Sequence, residues 1–227
     1  MSRSRERKTS AARDAGGTEL RVYLPIEDLQ PQFAAYLSSP LRARAYPPFR
    51  GQHSLMIEVA PALAIHRITD LALKAAPDTE PGILYTERQF GLLELHADDR
   101  ATLDAAGRAV LDGIGAEPAD QLAPTVLYED VVERLSDQHA LILNRSRDGS
   151  ILVPGVALLI VEMVPALFAC VAANEAEKAA PGIVLNDVQM IGASGRVFLS
   201  GERDDVSLAR ERIIDVLGRV QGRPGRS

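Results

Sequence analysis

The sequence predicts an α+β fold made of two tandem copies of one small domain, each a circularly permuted ferredoxin-like α/β sandwich. Three observations predict it: a segment of the chain occurs twice, apolar strand-like runs flank a proline-bounded helix in each copy, and both copies repeat one order of elements. At 227 residues, the chain has room for two domains of about 100 residues each.

The repeat lies at residues 54–77 and 158–181. At a constant offset of 104 residues, the two segments share 10 of 24 positions without a gap, including Glu58 with Glu162. After it, four extra residues in the first copy (78–81) bring Gly82 opposite Gly182. Self-similarity at a fixed offset indicates a tandem duplication.

The repeat predicts a strand and a helix in each copy. Runs 55–59 and 159–163 are short, apolar and β-prone, so we expect strands there. Proline is tolerated in the first turn of a helix and stops one at its end. Helices are therefore expected between the prolines of each copy, from Pro61 to Pro77 and from Pro165 to Pro181.

Two strands and a second helix complete each copy. The strands are expected at 83–86 and 92–95 in the first copy, and at 183–190 and 196–199 in the second. The second helices are expected to begin at aspartate caps and end at glycines: Asp98-Asp99 with Gly115, and Asp204-Asp205 with Gly218. One further strand precedes each repeat, at 19–24 and 125–129. The order is thus ββαββα, a permutation of the split βαββαβ plan.

These elements set the expected domain boundaries. We place the first domain at 18–115, a linker at 116–124 and the second domain at 125–220. The basic stretch 1–17 has no apolar h-region of a secretory signal, and we expect it to be a disordered tail, as we do 221–227.

The composition excludes several function classes. A net charge of −6 argues against general binding of nucleic acid, which needs a basic face. A single cysteine, Cys170, excludes an intramolecular disulfide and fits a reducing cytoplasm. The apolar stretch 151–173 is no membrane span, because Glu162 near its centre would cost about 3 kcal/mol and Pro154 and Pro165 interrupt it.

The sequence carries no constellation of catalytic or metal-binding residues. Its histidines are scattered and lack a ligand-spaced partner: His53, His66, His96 and His139. Glu58 and Glu162 recur in both copies, and such twins more often serve the fold than catalysis. We therefore expect no metal, no cofactor and no enzymatic activity.

Several motifs together resemble those of a known family. They are Leu29-Gln-Pro-Gln32, Ile57-Glu-Val-Ala-Pro61, Ala64-Ile-His-Arg67, Glu87-Arg88 with Phe90-Gly91, Asn144-Arg145, Ala173-Asn-Glu-Ala-Glu-Lys178, and Gly192 with Gly195-Arg196. The chain resembles bacterial microcompartment (BMC) shell proteins of the tandem-domain, trimeric type. It is most similar to the permuted tandem shell protein of carboxysomes and its relatives in catabolic microcompartments. The likeness spans residues 19–217.

The resemblance implies a structural subunit in the shell of a cytoplasmic microcompartment. Three chains would form a pseudohexagonal disc with a central pore for small metabolites, tile with hexameric shell proteins, and in some cases stack in pairs. The pore loops would contain Glu87, Arg88, Gln89, Phe90 and Gly91 from the first copy and Gly192, Ala193, Ser194 and Gly195 from the second. The only cysteine lies in a helix, so no iron–sulfur cluster is expected at the pore.

The resemblance also implies that Glu87 and Arg88 gate the pore, and elementary electrostatics agrees. Three arginines around a threefold axis repel one another by about 1 kcal/mol per pair at 4 Å in water. Turning each arginine onto a glutamate removes that repulsion and clears the opening. The alternative is that Glu87-Arg88 is the polar end of a strand.

Two lysines at equivalent helix ends, Lys74 and Lys178, would meet neighbouring tiles in this family, with Asp70 and Asn174 one turn earlier to orient them. The alternative is that each lysine stabilises its helix C-terminus by about 0.3–1 kcal/mol.

The alternative for the whole protein is a trimeric ferredoxin-like regulator that senses a small molecule, because fold alone does not fix function.

Overall fold

The computed structural model describes residues 17–39 and 45–225. The strands of the first half are β1 (Glu19–Ile26), β2 (His53–Ala60), β3 (Glu80–Thr86) and β4 (Gly91–Ala97). Those of the second half are β5 (Thr125–Val132), β6 (Ala157–Val164), β7 (Val184–Gln189) and β8 (Gly195–Gly201). They form two antiparallel four-stranded sheets in the orders β1-β2-β4-β3 and β5-β6-β8-β7.

Three helices accompany each sheet. The first half contains α1 (Pro31–Leu37), α2 (Ala64–Ala75) and α3 (Arg100–Ile114), and the second contains α4 (Asp137–Leu143), α5 (Phe168–Ala179) and α6 (Arg203–Arg219). A 3₁₀ turn, Pro118–Asp120, lies between the halves. The predicted α+β fold of two tandem domains is confirmed. Among the helices described, none is both long and apolar enough to cross a membrane.

Strand alternation explains where the first core forms. Leu93 and Leu95 of β4 point to one face of the sheet and pack with Ile65 and Ile68 of α2 and with α3. Leu92, on the opposite face, packs into a cluster that includes the second domain. The first sheet is therefore buried on both faces, with its own helices on one side and the second domain on the other.

The duplication is confirmed, but the predicted insert at 78–81 is wrong. Strands β3 and β7 have the same irregularity, between Pro81 and Ile83 and between Leu185 and Asp187, so the offset of the repeat continues unchanged through both. Gly82 thus corresponds to Asn186 and not to Gly182. The Gly-Ile pairs at 82 and 182 match only by chance, because hydrogen-bond register and not letter identity fixes equivalence.

Each copy contains a short helix that we did not predict. Helices α1 and α4 follow the first strand, so the order is βαβαββα instead of ββαββα. The spacing from the start of the first strand to the start of the short helix is the same in both copies, so α1 and α4 are equivalent. Seven residues give too little periodicity to detect, but Pro31 in the first turn of α1 and Ser136 as the cap of α4 were usable signals.

The predicted ends of the second helices hold for one copy. Asp99 caps α3 by accepting a hydrogen bond from Ala101 N, and Gly115 ends it at a φ of 65°. In α6 the cap position is Glu202, Asp204 and Asp205 already lie in the first turn, and the helix continues through Gly218 to Arg219. The repeat helices also start later than expected, at Ala64 and Phe168, after turns that begin at Pro61 and Pro165.

The expected tail at 221–227 is not free over its described part. The Arg223 amide donates to the carbonyl of Gln121 at 2.7 Å, and Arg223 O accepts from Ala123 N at 2.8 Å. The Arg223 guanidinium also pairs with Glu19 of the first domain. Residues 221–225 therefore fasten the end of the second domain to the chain that joins the two domains. The N-terminal tail expected at 1–17 lies almost entirely outside the described residues.

Helix α5 is the centre of contact between the domains. Every residue from Phe168 to Glu177 is buried, and its apolar side chains share one cluster with Val22, Leu24 and Met56 of the first sheet. Helix α1 packs beside it, where the amides of Gln32 and Phe33 donate to the carboxylate of Glu177. The second domain therefore completes its core with the first.

Candidate functional site

The first candidate pore loop is the tight hairpin between β3 and β4. The Glu87 amide donates to the carbonyl of Phe90 at 2.8 Å, which closes the turn. Arg88 and Gln89 at its tip are exposed, while Glu87 is half-buried and accepts a hydrogen bond from Tyr85 at 3.4 Å. Across the described residues, Arg88 forms no ion pair or hydrogen bond, so Glu87 and Arg88 are not paired in this conformation.

The base of this loop is held by Arg21 of β1. Its Nε lies 2.7 Å from Oε1 of Glu58 on β2, and its guanidinium carbon lies 3.5 Å from the centroid of the Phe90 ring. Burial raises the pKa of Glu58, although the hydrogen bond and charge of Arg21 act in the opposite direction. The arginine thus serves two partners, an acid on the sheet and an aromatic ring on the loop, through an ion pair and a cation–π contact.

The second candidate loop, residues 191–194, is held differently. Ser194 donates to Oε1 of Glu162 at 2.5 Å, and Arg196 of β8 donates to the same oxygen at 3.0 Å. These hydrogen bonds, from Ser194 first and Arg196 second, lower the pKa of Glu162. Gly192 has a φ of 126°, which favours glycine, and Ala193 is exposed at the tip. This loop therefore presents small, neutral groups.

Two glycines in the predicted pore set are required by the fold. A Cβ on Gly91 would lie 2.2 Å from the carbonyl oxygen of Ala62, and one on Gly195 would lie 2.1 Å from that of Ala166. Gly91 begins β4 and Gly195 begins β8, the strand that follows each hairpin. Each glycine lets its strand pass close to the turn that precedes the repeat helix. Close backbone approach inside each domain therefore explains both.

The four predicted edge residues fall into two different environments. Lys74 and Asp70 are exposed and form an ion pair of 2.7 Å on the surface of α2. Asn174 is buried, and its Oδ1 accepts from Gln30 N of the first domain at 2.8 Å. Lys178 donates to the carbonyl of Glu27 and pairs with Glu175. The second pair therefore joins the two domains within the chain.

A buried polar cluster in the first sheet was missed by sequence reasoning. Glu94 and His96 are fully buried on β4 and lie 3.2 Å apart, and Ser54 donates to Glu94 at 2.6 Å. Burial opposes the charged imidazole, but Glu94 and Glu80 together raise the pKa of His96. The alternation Leu-Glu-Leu-His is typical of a strand with one solvated face, but here the face that carries Glu94 and His96 is buried as well. Among the described residues, no group of three or more potential ligands could hold a metal.

The comparisons with known proteins agree with this architecture. Residues 20–120 match the family described as the CsoS1D N-terminal domain. The chain is 38% identical over 207 residues to the carboxysome shell protein CcmP of Synechococcus elongatus, a match covering 91% of this chain and 95% of CcmP. The chain belongs to the family of carboxysome and microcompartment shell proteins. It is also 38% identical to the carboxysome shell protein CsoS1D of Prochlorococcus marinus, over 89% of this chain and 78% of that protein.

Solved structures of shell proteins share the whole fold. The double-ringed trimeric shell protein MSM0271 of the RMM microcompartment is 53% identical, with a TM-score of 0.88 over 92% of this chain and 100% of that one. The fused permuted hexameric shell protein MSM0275 is 41% identical, with a TM-score of 0.85 over 90% and 99%. The resemblance predicted from the motifs is confirmed, and this shell protein is a structural subunit of a bacterial microcompartment.

Proposed function

We propose that three chains of this shell protein form a pseudohexagonal disc, and that the disc is a perforated tile of the shell. The observation that supports this most is the equivalence of the two hairpin loops, 87–90 and 191–194, which follow the same strand and precede the same strand in both domains. Six such loops, two from each chain, can converge on one axis. The similarity to a trimeric shell protein at 53% identity supports the number of chains.

Charged and neutral loops alternate around the proposed pore. Each chain contributes one loop with Glu87 and Arg88 and one with Gly192 and Ala193. Three guanidinium groups at the axis would repel one another and exclude cations, and they would favour anionic metabolites. Rotation of Arg88 onto Glu87 would relieve the repulsion and widen the opening, so the pair serves as a gate between two arrangements.

The outer rim would meet other tiles of the shell. Lys74 and Asp70 are the exposed members of the predicted edge set, whereas Lys178 reaches the surface only beside the junction of the two domains. We propose hexameric shell proteins as partners along this rim, and a second disc of the same chain as a stacking partner. The disc itself transports by diffusion and catalyses no reaction.

Electron microscopy of the purified protein tests the disc, and conductance across a planar bilayer tests the gate. We expect six-lobed rings with threefold symmetry, and a lower preference for anions in Arg88→Ala than in the wild type. The control is Arg108→Ala, which removes the same charge from the exposed surface of α3. Particles without a ring would contradict the disc. Identical ion selectivity in the three proteins would contradict the gate alone.

A further inference from the structure

A cleft of about 350 Å³ opens beside α3 in the first domain. Leu55 of β2, Leu103 of α3 and Pro118 of the chain between the domains contribute apolar walls, and none of the lining residues belongs to the predicted pore loops. Sites for small molecules have volumes of about 300–1,000 Å³ and mostly apolar walls that carry a few polar groups. The cleft therefore has the size and the character of a binding site for a small molecule.

The polar group inside the cleft is the hydroxyl of Tyr23 on β1. Its position requires a glycine on α3, because a Cβ on Gly107 would lie 2.0 Å from the hydroxyl oxygen. Burial, and then the nearby charge of Asp104, raise the pKa of Tyr23, although Arg108 acts in the opposite direction. Across the described residues this hydroxyl forms no hydrogen bond, whereas a tyrosine in an apolar wall usually finds a partner. A molecule bound in the cleft can supply that partner.

The charges at the rim of the cleft favour a cation. Arg100 pairs with Glu27, and its Nε lies 3.8 Å from Oδ2 of Asp104. His53 accepts a hydrogen bond at Nδ1 from Asp28 N at 3.3 Å, as a neutral imidazole does. One arginine thus faces two carboxylates, and the lining keeps one uncompensated negative charge. A cleft of negative charge concentrates cations.

We propose that this cleft binds a small primary amine with a short aliphatic chain, in its protonated form. An ammonium group donates three hydrogen bonds. The Asp104 carboxylate and the Tyr23 hydroxyl oxygen can accept two of them, and water can accept the third. The aliphatic chain would cover Leu55, Leu103 and Pro118 and remove their apolar surface from water. This site is separate from the proposed pore, and it does not depend on how many chains assemble.

The strand that carries Tyr23 has an equivalent in the second domain, where the chemistry differs. Tyr23 lies opposite Ile57 of β2, and Glu129 of β5 lies opposite Val161, the equivalent of Ile57. Tyr23 therefore corresponds to Glu129. The second domain has a carboxylate where the first has an aromatic ring and a hydroxyl.

The helix that forms the opposite wall has changed together with the strand. Ala106 and Ala209 are equivalent buried alanines of α3 and α6, so the residues that follow them, Gly107 and Arg210, correspond. Arg210 donates a hydrogen bond to Glu129 and forms an ion pair with it. The second domain thus has an ion pair where the first has a tyrosine hydroxyl against a glycine.

The rim of the cleft, in contrast, is common to both domains. The ion pair of Arg100 and Glu27 has its counterpart in that of Arg203 and Glu133, which are 3.2 Å apart. Only the interior differs between the copies. The cleft is therefore a feature of the first domain and not a consequence of the shared fold.

A variant that copies the second domain into the cleft tests the site. Tyr23→Glu combined with Gly107→Arg introduces the ion pair that the second domain already contains, so the double variant should fold. Saturation-transfer NMR with butylammonium chloride measures binding to the assembled protein. We expect the affinity of the double variant to be weaker than that of the wild type by about tenfold or more. Equal affinities would overturn the site.

A single-residue variant and a second probe test the charge of the ligand. Asp104→Asn keeps the shape of the side chain and removes its charge, and it should weaken butylammonium binding by about tenfold. Asp112→Asn removes the same charge from the exposed surface of α3 and is the matched control, which should bind like the wild type.

Butyrate has the same chain length and the opposite charge, and it should bind the wild type more weakly than butylammonium does. Butyrate that binds as tightly or more tightly would overturn the choice of an amine. A wild type that binds no butylammonium at millimolar concentration would overturn the whole proposal, while the disc and its pore would stand.

Discussion

The two domains keep the same glutamate on the second strand of their sheet, but each neutralises it with an arginine from a different strand. Glu58 pairs with Arg21 of β1, beneath the ring of Phe90. Glu162 pairs with Arg196 of β8 and with Ser194. The first pair is largely buried, and the second is more exposed to solvent.

This difference shows that duplication preserved the backbone and let the loops diverge. In the first domain the arginine holds an aromatic residue at the base of a charged hairpin. In the second, the arginine and a serine hold a turn of small residues. Two copies of one domain can thereby place unlike chemistry at equivalent positions. In the proposed disc, this gives the pore threefold chemistry within a sixfold backbone.

Removal of the first arginine should cause the largest loss of stability. Arg21→Ala leaves Glu58, whose side chain is 5% exposed, without its countercharge, and breaking a buried pair costs about 3–5 kcal/mol. Arg196 is 46% exposed, so Arg196→Ala should cost only a small fraction of that loss, because water screens surface pairs. Urea denaturation of the two variants measures the contrast. Equal losses would show that the two glutamates do not differ in environment.

The twin glycines should respond alike, because they represent what the duplication preserved. Gly91→Ala and Gly195→Ala each push a methyl group against a carbonyl oxygen, and overpacking of this kind costs about 1–3 kcal/mol. Gly218→Ala is the control, since nothing lies within 4 Å of its added Cβ in α6. That variant should gain up to about 1 kcal/mol. Thermal unfolding of the three variants shows whether each substitution lowers or raises stability. A Gly195→Ala variant as stable as the wild type would contradict the close approach of residue 195 to the carbonyl of Ala166.

The two glutamates should also make the free energy of unfolding depend on pH in opposite directions. These effects should be smaller than those of the preceding variants. The folded pKa of Glu162 is lowered, so its contribution to stability is present above the usual 4.5 and is lost as the pH falls through the folded value. The pKa of Glu58 is raised, so its contribution is present below 4.5 and is lost as the pH rises through the folded value. As the pH falls, the free energy of unfolding of the wild type should decrease relative to that of Glu162→Gln. Over the same range it should increase relative to that of Glu58→Gln. Urea midpoints across the acid range measure both, and parallel trends would contradict the account.

The sequence alone was sufficient to predict the elements that occur in both copies. The constant offset between the copies and the proline-bounded helices predicted both sheets and the repeat helices, because each copy served as a check on the other. Family resemblance selected the loops at 87–91 and 192–195. The structure places them as equivalent hairpins, and their position at a pore stays a prediction.

Several of the features that were missed depend on tertiary packing or strand register. Glu94 and His96 alternate with leucines like a solvated strand face, yet both are fully buried. Asn174 and Lys178 look the same in sequence as Asp70 and Lys74, yet one pair is covered and the other is exposed. The apparent insert at 78–81 arose because a glycine pair matched in letters while the strand register did not. Letter patterns alone carry neither the strand register nor the identity of the pair that the other domain covers.

The absolute mass of the purified wild-type protein, measured by light scattering on a sizing column, tests the central claim most directly. One chain has a mass of 24.5 kDa. The account predicts either three times that mass, for one disc, or six times that mass, for two stacked discs. A stable species with the mass of one chain would contradict it, because a single chain can neither enclose a pore nor tile a plane.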